Sequence, residues 1–175
     1  MLGEKTRKNL EDALIGESKA RNKYDWFASV ARKAGYVQIA NIFEESARNE
    51  KEHAKLWAKQ LGMISETELN LKDAIEGELH ETNEMYPRMA EEAEAEGHAD
   101  IAKLFRGVAA AEKAHATRYQ KLLENLEKGE VFKKPAPVRW KCNNCGYIHE
   151  GGEAPMICPS CLHPQAHFEV FVETY

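Results

Sequence analysis

Two Glu-x-x-His pairs and two Cys-x-x-Cys pairs hold most of the side chains in this 175-residue chain that could do chemistry together. "EKEH" at 50–53 recurs as "EKAH" at 112–115, and "CNNCGY" at 142–147 is followed by "CPSC" at 158–161. On a helix, residues three apart share a face, so Glu50 with His53, and Glu112 with His115, each present a carboxylate beside an imidazole. The cysteine pairs are separated by twelve residues. Two such hairpin loops can close a tetrahedral four-thiolate site from Cys142, Cys145, Cys158 and Cys161. That geometry suits zinc and iron alike, and composition does not choose between them.

A lone Glu-x-x-His means little in a glutamate-rich chain, but here it sits inside a repeat. Residues 35–54 align with 97–116 through Gly35/Gly97, Ile39/Ile101, Ala40/Ala102, Phe43/Phe105, Ala47/Ala109, Glu50/Glu112, Lys51/Lys113, His53/His115 and Ala54/Ala116. Nine of these twenty positions are identical, where ordinary amino-acid usage gives about one by chance. Upstream, "DALIGE" at 12–17 answers "DAIEGE" at 73–78 and pairs Glu17 with Glu78. The region therefore reads as two copies of one helical hairpin, each supplying a single Glu and a Glu-x-x-His. One turn beyond Glu78 stands Glu81, where the first copy has Ala20, so the second copy offers a seventh candidate ligand.

The elements that must position these groups follow from periodicity. Apolar residues step by three and four through Leu10, Leu14, Tyr24 and Ala28, then Ile39, Phe43, Ala47, Trp57 and Leu61. They do so again through Leu71, Ile75, Met85 and Met89, then Ile101, Phe105, Val108, Tyr119 and Leu122. This pattern predicts four helices of about 25–30 residues, each about 40 Å long, broken near Gly35, Gly62 and Gly97. All four carboxylates fall on these apolar stripes. Burying them unpaired costs several kcal/mol apiece, and too few Lys or Arg share the stripes to neutralise them. Metal cations are the remaining counter-charge, and carboxylate with imidazole at this spacing is the pattern of a di-iron or di-manganese bundle.

The helical region spans 1–128. Residues 129–137, "GEVFKKPAP", read as a linker. Residues 138–175 form a small β-leaning domain around the cysteines, of a size that normally needs a metal staple. A net charge of −5 argues against a general nucleic-acid or anionic-membrane binder. No apolar run reaches membrane-spanning length, the N-terminus lacks a signal-peptide core, and the clustered cysteines suit a reducing compartment; a cytoplasmic protein is expected.

"GESKARNKY" (16–24), "EKEH", "GELHETNEMYP" (77–87), "EKAH" and the two cysteine pairs together resemble the rubrerythrin family over essentially the whole chain. The resemblance implies a mainly α fold, a ferritin-like four-helix bundle with a non-haem di-iron site, followed by a small β-rich rubredoxin-like iron–tetracysteine domain. It implies reduction of hydrogen peroxide to water in oxidative-stress defence. Electrons would come from NAD(P)H through an external donor such as a rubredoxin or ferredoxin reductase system. Carried over by motif, two irons would be held by Glu17, Glu50, His53, Glu78, Glu81, Glu112 and His115, with Glu50 and Glu112 bridging. His53 would hold one metal position in the reduced state and Glu81 in the oxidised. A third iron, or zinc as a substitute, would take Cys142, Cys145, Cys158 and Cys161. Tyr24 and Tyr86 match tyrosines beside the metal pair. Leu162 departs from the glycine usual after the second cysteine pair, so a less regular turn is expected there.

An iron-binding ferroxidase, or a structural protein with zinc in both sites, are the competing readings; the cysteine domain tells against storage, which needs no electron return. The bundle topology adds a prediction about assembly. In a ferritin-like bundle the second and third helices run parallel, yet "SETE" at 65–68 starts the third helix a few residues after Gly62. A return along the bundle needs about 25 Å of chain. A homodimer with helical hairpins exchanged between subunits resolves this, and a simple up-down-up-down bundle is the alternative.

Overall fold

The computed structural model describes residues 2–174. It is mainly helical with a small antiparallel sheet near the C-terminus, as the periodicity predicts. The chain divides between residues 66 and 67 into two compact units, each built on one copy of the repeat.

In the first unit α1 (Glu4–Lys33) and α2 (Val37–Gln60) form a helical hairpin. The turn between them is set by Gly35 at φ +85°, with its N–H on Arg32 O and the Tyr36 N–H on Ala31 O. This paired closure needs a left-handed residue, which glycine adopts without a Cβ penalty. The helices meet through small residues: Ala28, Ala31 and Ala40 pack together beside Phe43. Larger apolar groups, including Val30, Ile39, Ile42 and Leu56, stay exposed on the hairpin. Trp26 is 64% exposed, so it is not the core residue its type suggests.

The second unit repeats the plan with one interruption. Its first arm runs as α3 (Thr67–His80), a π-helical turn (Glu81–Met85) and α4 (Tyr86–Ala95); its second arm is α5 (Ala99–Glu127). Four helices are predicted, the third with a local kink at Pro87; this arm is broken by a turn with i→i+5 bonding, and Pro87 sits at the start of α4 just beyond it. Gly97, at φ +86°, closes the hairpin as Gly35 does. Ala90, Ala93 and Ala102 pack beside Phe105, matching the alanines of the first hairpin. At matching positions the two hairpins also carry a cross-helix ion pair with the charges reversed: Arg32 on α1 reaches Glu44 on α2 at 2.6 Å, whereas Arg106 on α5 reaches Glu94 on α4.

After α5, β1 (Lys133–Cys142) is the central strand of a sheet ordered β2–β1–β3, with β2 spanning Ile148–Glu153 and β3 Phe168–Val170. The strand takes in residues 133–137 of the predicted linker. Pro135 and Pro137 fit there because the β1–β2 register slips between Lys133 and Val138, so no ladder bond is asked of their missing N–H. The small core consists of Trp140, Cys142, Ala154, Cys158 and Phe168, and the Trp140 indole donates to Gly151 O at 3.0 Å.

Candidate metal centres

In the first hairpin, Glu17 on α1 and Glu50 with His53 on α2 bring their ligand atoms within 4.8 Å of one another. His53 Nδ1 lies 2.8 Å from Glu50 Oε2 and 3.7 Å from Glu17 Oε1. In the second, Glu78 on α3 and Glu112 with His115 on α5 make the same cluster. His115 Nδ1 lies 2.6 Å from Glu112 Oε2 and 3.7 Å from Glu78 Oε1. Both imidazoles thus turn Nδ1 toward the carboxylates. An aromatic pair on each hairpin matches too: Tyr24 meets Phe43 at 6.0 Å and 33°, and Tyr86 meets Phe105 at 6.0 Å and 34°.

Each cluster sets two carboxylates against one imidazole, an excess of negative charge. The Glu78 carboxyl is pushed above its ordinary range, first by burial and then by its hydrogen bond to Glu112 and that group's charge, with His115 opposing. The Tyr86 phenol is also raised, first by burial and then by the charges of Glu81, Glu112 and Glu78. A multivalent cation relieves both. Three oxygen and nitrogen donors converging per hairpin fit the hard-to-borderline ligand set of iron or manganese. Glu81 stands outside the tight cluster, half-buried, close enough for its charge to bear on Glu78 and Tyr86.

The four cysteines converge without forming disulfides: Cys142 Sγ is 3.7 Å from Cys161 Sγ, and Cys145 Sγ is 3.6 Å from Cys158 Sγ. Thiolates about 2.3 Å from a central ion stand about 3.8 Å apart at tetrahedral angles, so these spacings fit one metal ion. The two loops are near copies. Gly146 N–H donates to Cys142 O at 2.8 Å and Leu162 N–H to Cys158 O at 2.9 Å, with φ of +80° and +61°. The turn at Leu162 is therefore regular, contrary to expectation; leucine takes the conformation that glycine takes in the first loop.

Backbone donors here were not read from the sequence. The His163 N–H bonds to the Cys161 sulfur and is the leading cause that lowers its thiol to about 5. The Tyr147 N–H bonds likewise to Cys145, but the neighbouring thiols and burial outweigh it and raise Cys145 to about 11. Each donor lies two residues after its cysteine, a spacing that the near-repeat of the loops contains. His163 and His167 are half-buried and stack edge-on at 4.6 Å, rather than lying free on the surface.

Paired carboxylate–histidine clusters on two helical hairpins, joined to a tetracysteine module, define a ferritin-like di-iron carboxylate protein with a rubredoxin-like domain. Residues 8–123 match the Rubrerythrin family, and residues 140–169 match its rubredoxin-like domain. The chain is 50% identical to a rubrerythrin of Clostridium perfringens, covering 99% of this chain and 97% of that one. It is 44% identical to a rubrerythrin of Nitratidesulfovibrio vulgaris, covering 96% and 95%. A solved structure of nigerythrin in a mixed-valence state shares 32% identity over 98% of this chain and 88% of the other, with a TM-score of 0.37. The chain belongs to the rubrerythrin family. No described helix is long and apolar enough to cross a membrane.

Proposed function

We propose that the protein is a hydrogen peroxide reductase of the cytoplasm, fed by an external one-electron donor system linked to NAD(P)H. The observation that carries this reading is the presence, in one chain, of two matched Glu/Glu/His clusters and a separate four-sulfur site. Reducing hydrogen peroxide to two waters takes two electrons and two protons. Iron held by the Glu/Glu/His clusters would supply the electron pair, and iron held by the four cysteines would pass electrons on singly.

The chain's own residues do the rest. Glu17 and Glu78 would hold one iron each, and Glu50 and Glu112 would be shared between the two. His53 and Glu81 would be alternative ligands at one position, neutral imidazole suiting the lower metal charge and carboxylate the higher. Tyr86, held protonated by burial and by three nearby carboxylates, keeps a phenolic proton beside the site. Tyr24 occupies the matching place in the first hairpin and orients its helix through Phe43. Cys142, Cys145, Cys158 and Cys161 hold the relay.

Each hairpin supplies three of the six paired ligands, and only residues 61–66 link α2 to α3. Six residues reach about 20 Å when extended, against about 36 Å for a helix as long as α2. We propose a homodimer in which the hairpins exchange, so that a cluster from one copy completes a cluster from the other.

The deciding experiment combines metal analysis with stopped-flow mixing of reduced protein and hydrogen peroxide. Three irons per chain and rapid oxidation of the carboxylate site are expected. Zinc in every site, or indifference to peroxide, overturns the reading. Cys158→Ser should block reduction of the carboxylate site by an external donor while sparing one stoichiometric reaction with peroxide.

A further inference from the structure

The cysteine end of the small domain is bare of charge. Residues 154–168, "APMICPSCLHPQAHF", contain no Asp, Glu, Lys or Arg, the longest such run in a chain in which 30% of residues are charged. Residues 142–149, around the first cysteine pair, are uncharged as well. The two loops differ in what they show to solvent. On the second, Met156, Ile157 and Leu162 are 69%, 60% and 78% exposed. The matching positions of the first loop hold the buried Trp140, then Lys141 and Gly146.

These three side chains stand on one closed hairpin loop. Ile157 and Pro164 form an antiparallel bridge, the Cys158 N–H donates to His163 O at 2.8 Å, and the Gln165 N–H donates to Met156 O at 2.9 Å. The Gln165 side-chain amide also donates to Ala154 O at 2.7 Å. Leu162 directly follows Cys161, which is half-buried where Cys158 is fully buried. Its left-handed backbone, at φ +61°, costs a leucine stability, and a side chain this exposed recovers little of that by packing. Strain held beside a metal site without a packing return points to a use outside the fold.

We propose that Met156, Ile157 and Leu162 form the docking face for the external donor, a small iron–sulfur protein carrying one electron. This rests on the electron-relay reading above. Three such side chains expose about 400 Å² together, the scale of patch that marks a binding surface. Closed against a like face they bury about 800 Å² in total, short of a stable dimer and within the range of transient redox encounters. The face therefore suits a carrier that docks, delivers and leaves, and not a second copy of this chain. Contact at Leu162 sets the donor one residue from the Cys161 sulfur. The donor gives up one electron, and iron held by the four cysteines would take it, passing from ferric to ferrous; no bond forms or breaks and no proton moves. An uncharged face holds by apolar contact and not by ion pairs, so the encounter is insensitive to salt.

The test uses full-length, iron-loaded protein with reduced rubredoxin and, separately, reduced ferredoxin as donors. Enriched Mössbauer iron placed in this chain alone reports reduction of the tetracysteine site in freeze-quenched samples, without peroxide. Leu162→Asn removes the apolar contact yet suits the left-handed backbone. Its metal content, mass in solution and reduction by dithionite should match the parent, while reduction by the better carrier should slow roughly tenfold. Val172→Asn, at a side chain as exposed but beyond the end of β3 away from Cys142, should match the parent throughout. Raising salt from about 0.05 to 0.5 M should change the parent's rate by less than about twofold, where a charge-steered encounter loses about tenfold. Binding is read separately on zinc-loaded protein, where the better carrier should perturb the amide signals of Ile157 and Leu162 and leave Val172 alone. Unchanged reduction of Leu162→Asn, a steep loss with salt, or amide changes confined elsewhere overturns the proposal. A smaller solution mass for the variant puts a second copy on this face and overturns it too, as does a parent that dithionite reduces and neither carrier can. Should Leu162→Asn fail to load metal, Met156→Gln is judged by the same outcomes. A parent that takes no iron at the cysteines, or whose reduced form ignores peroxide, fails the functional reading instead.

Discussion

Leu162 holds a left-handed backbone conformation that costs a leucine about 1–2 kcal/mol, with its side chain 78% exposed. Leu162→Gly should therefore stabilise the metal-loaded domain by up to about 1 kcal/mol after allowing for glycine's larger unfolded-state entropy. A lower melting temperature would contradict this. Cys145 and Cys161 make a second residue-level prediction. With one thiol raised to about 11 and its neighbour lowered to about 5, the metal-free site at neutral pH keeps Cys145 protonated and Cys161 ionised. Loading zinc must then expel at least the Cys145 proton, so affinity should weaken as pH falls. Calorimetry in buffers of different ionisation heat measures that release; a buffer-independent heat would refute it. The ligand types were legible in the sequence because carboxylate, imidazole and thiolate announce their chemistry. The N–H groups of Tyr147 and His163 were not, because every residue but proline carries one and only the folded loop aims them.

At the scale of elements, the repeat made the hairpins readable: matched glycines, phenylalanines and Glu-x-x-His pairs fix where each helix turns and which face carries ligands. Pro87 pointed to a kink in the third helix, but the π-helical turn itself escaped, although its trace was present as a change in repeat offset from 61 to 62 between Glu78 and Tyr86. Helical periodicity averages over several turns and cannot register one extra residue that the backbone itself absorbs. The start of β1 escaped for the opposite reason: Pro135 and Pro137 argue for a linker unless a register slip excuses them, and the slip belongs to pairing with β2. Gly97 gives the element-level test. A Cβ placed there meets nothing within 4 Å, so the penalty for Gly97→Ala is backbone strain alone. The loss should be about 1 kcal/mol, read by thermal unfolding. Wild-type stability would show that the hairpin tolerates another closure.

For the molecule as a whole, exchange of hairpins makes a prediction that no single chain can mimic. A copy carrying His53→Ala has a damaged first cluster, and one carrying His115→Ala a damaged second. If hairpins exchange, a mixed dimer of the two combines both lesions in one site and leaves the other intact. On random pairing, roughly a quarter of all sites should regain activity. No recovery after co-refolding would rule exchange out. Large apolar side chains left uncovered on each hairpin were not foreseen from periodicity, which locates an apolar face without saying whose helix covers it.

The reversed ion pairs bear on how such a chain avoids error. Two near-identical hairpins invite their helices to trade partners during folding, since the alanine seams and aromatic pairs are alike in both. Because Arg32 answers Glu44 in one and Glu94 answers Arg106 in the other, α1 laid against α5 in the hairpin manner would face arginine with arginine. Likewise α4 laid against α2 would face glutamate with glutamate. Each exposed pair contributes under about 1 kcal/mol to the correct fold, but its sign reverses in the mistaken one. Surface charge thus serves as a proofreader, separating twins that the interior cannot tell apart.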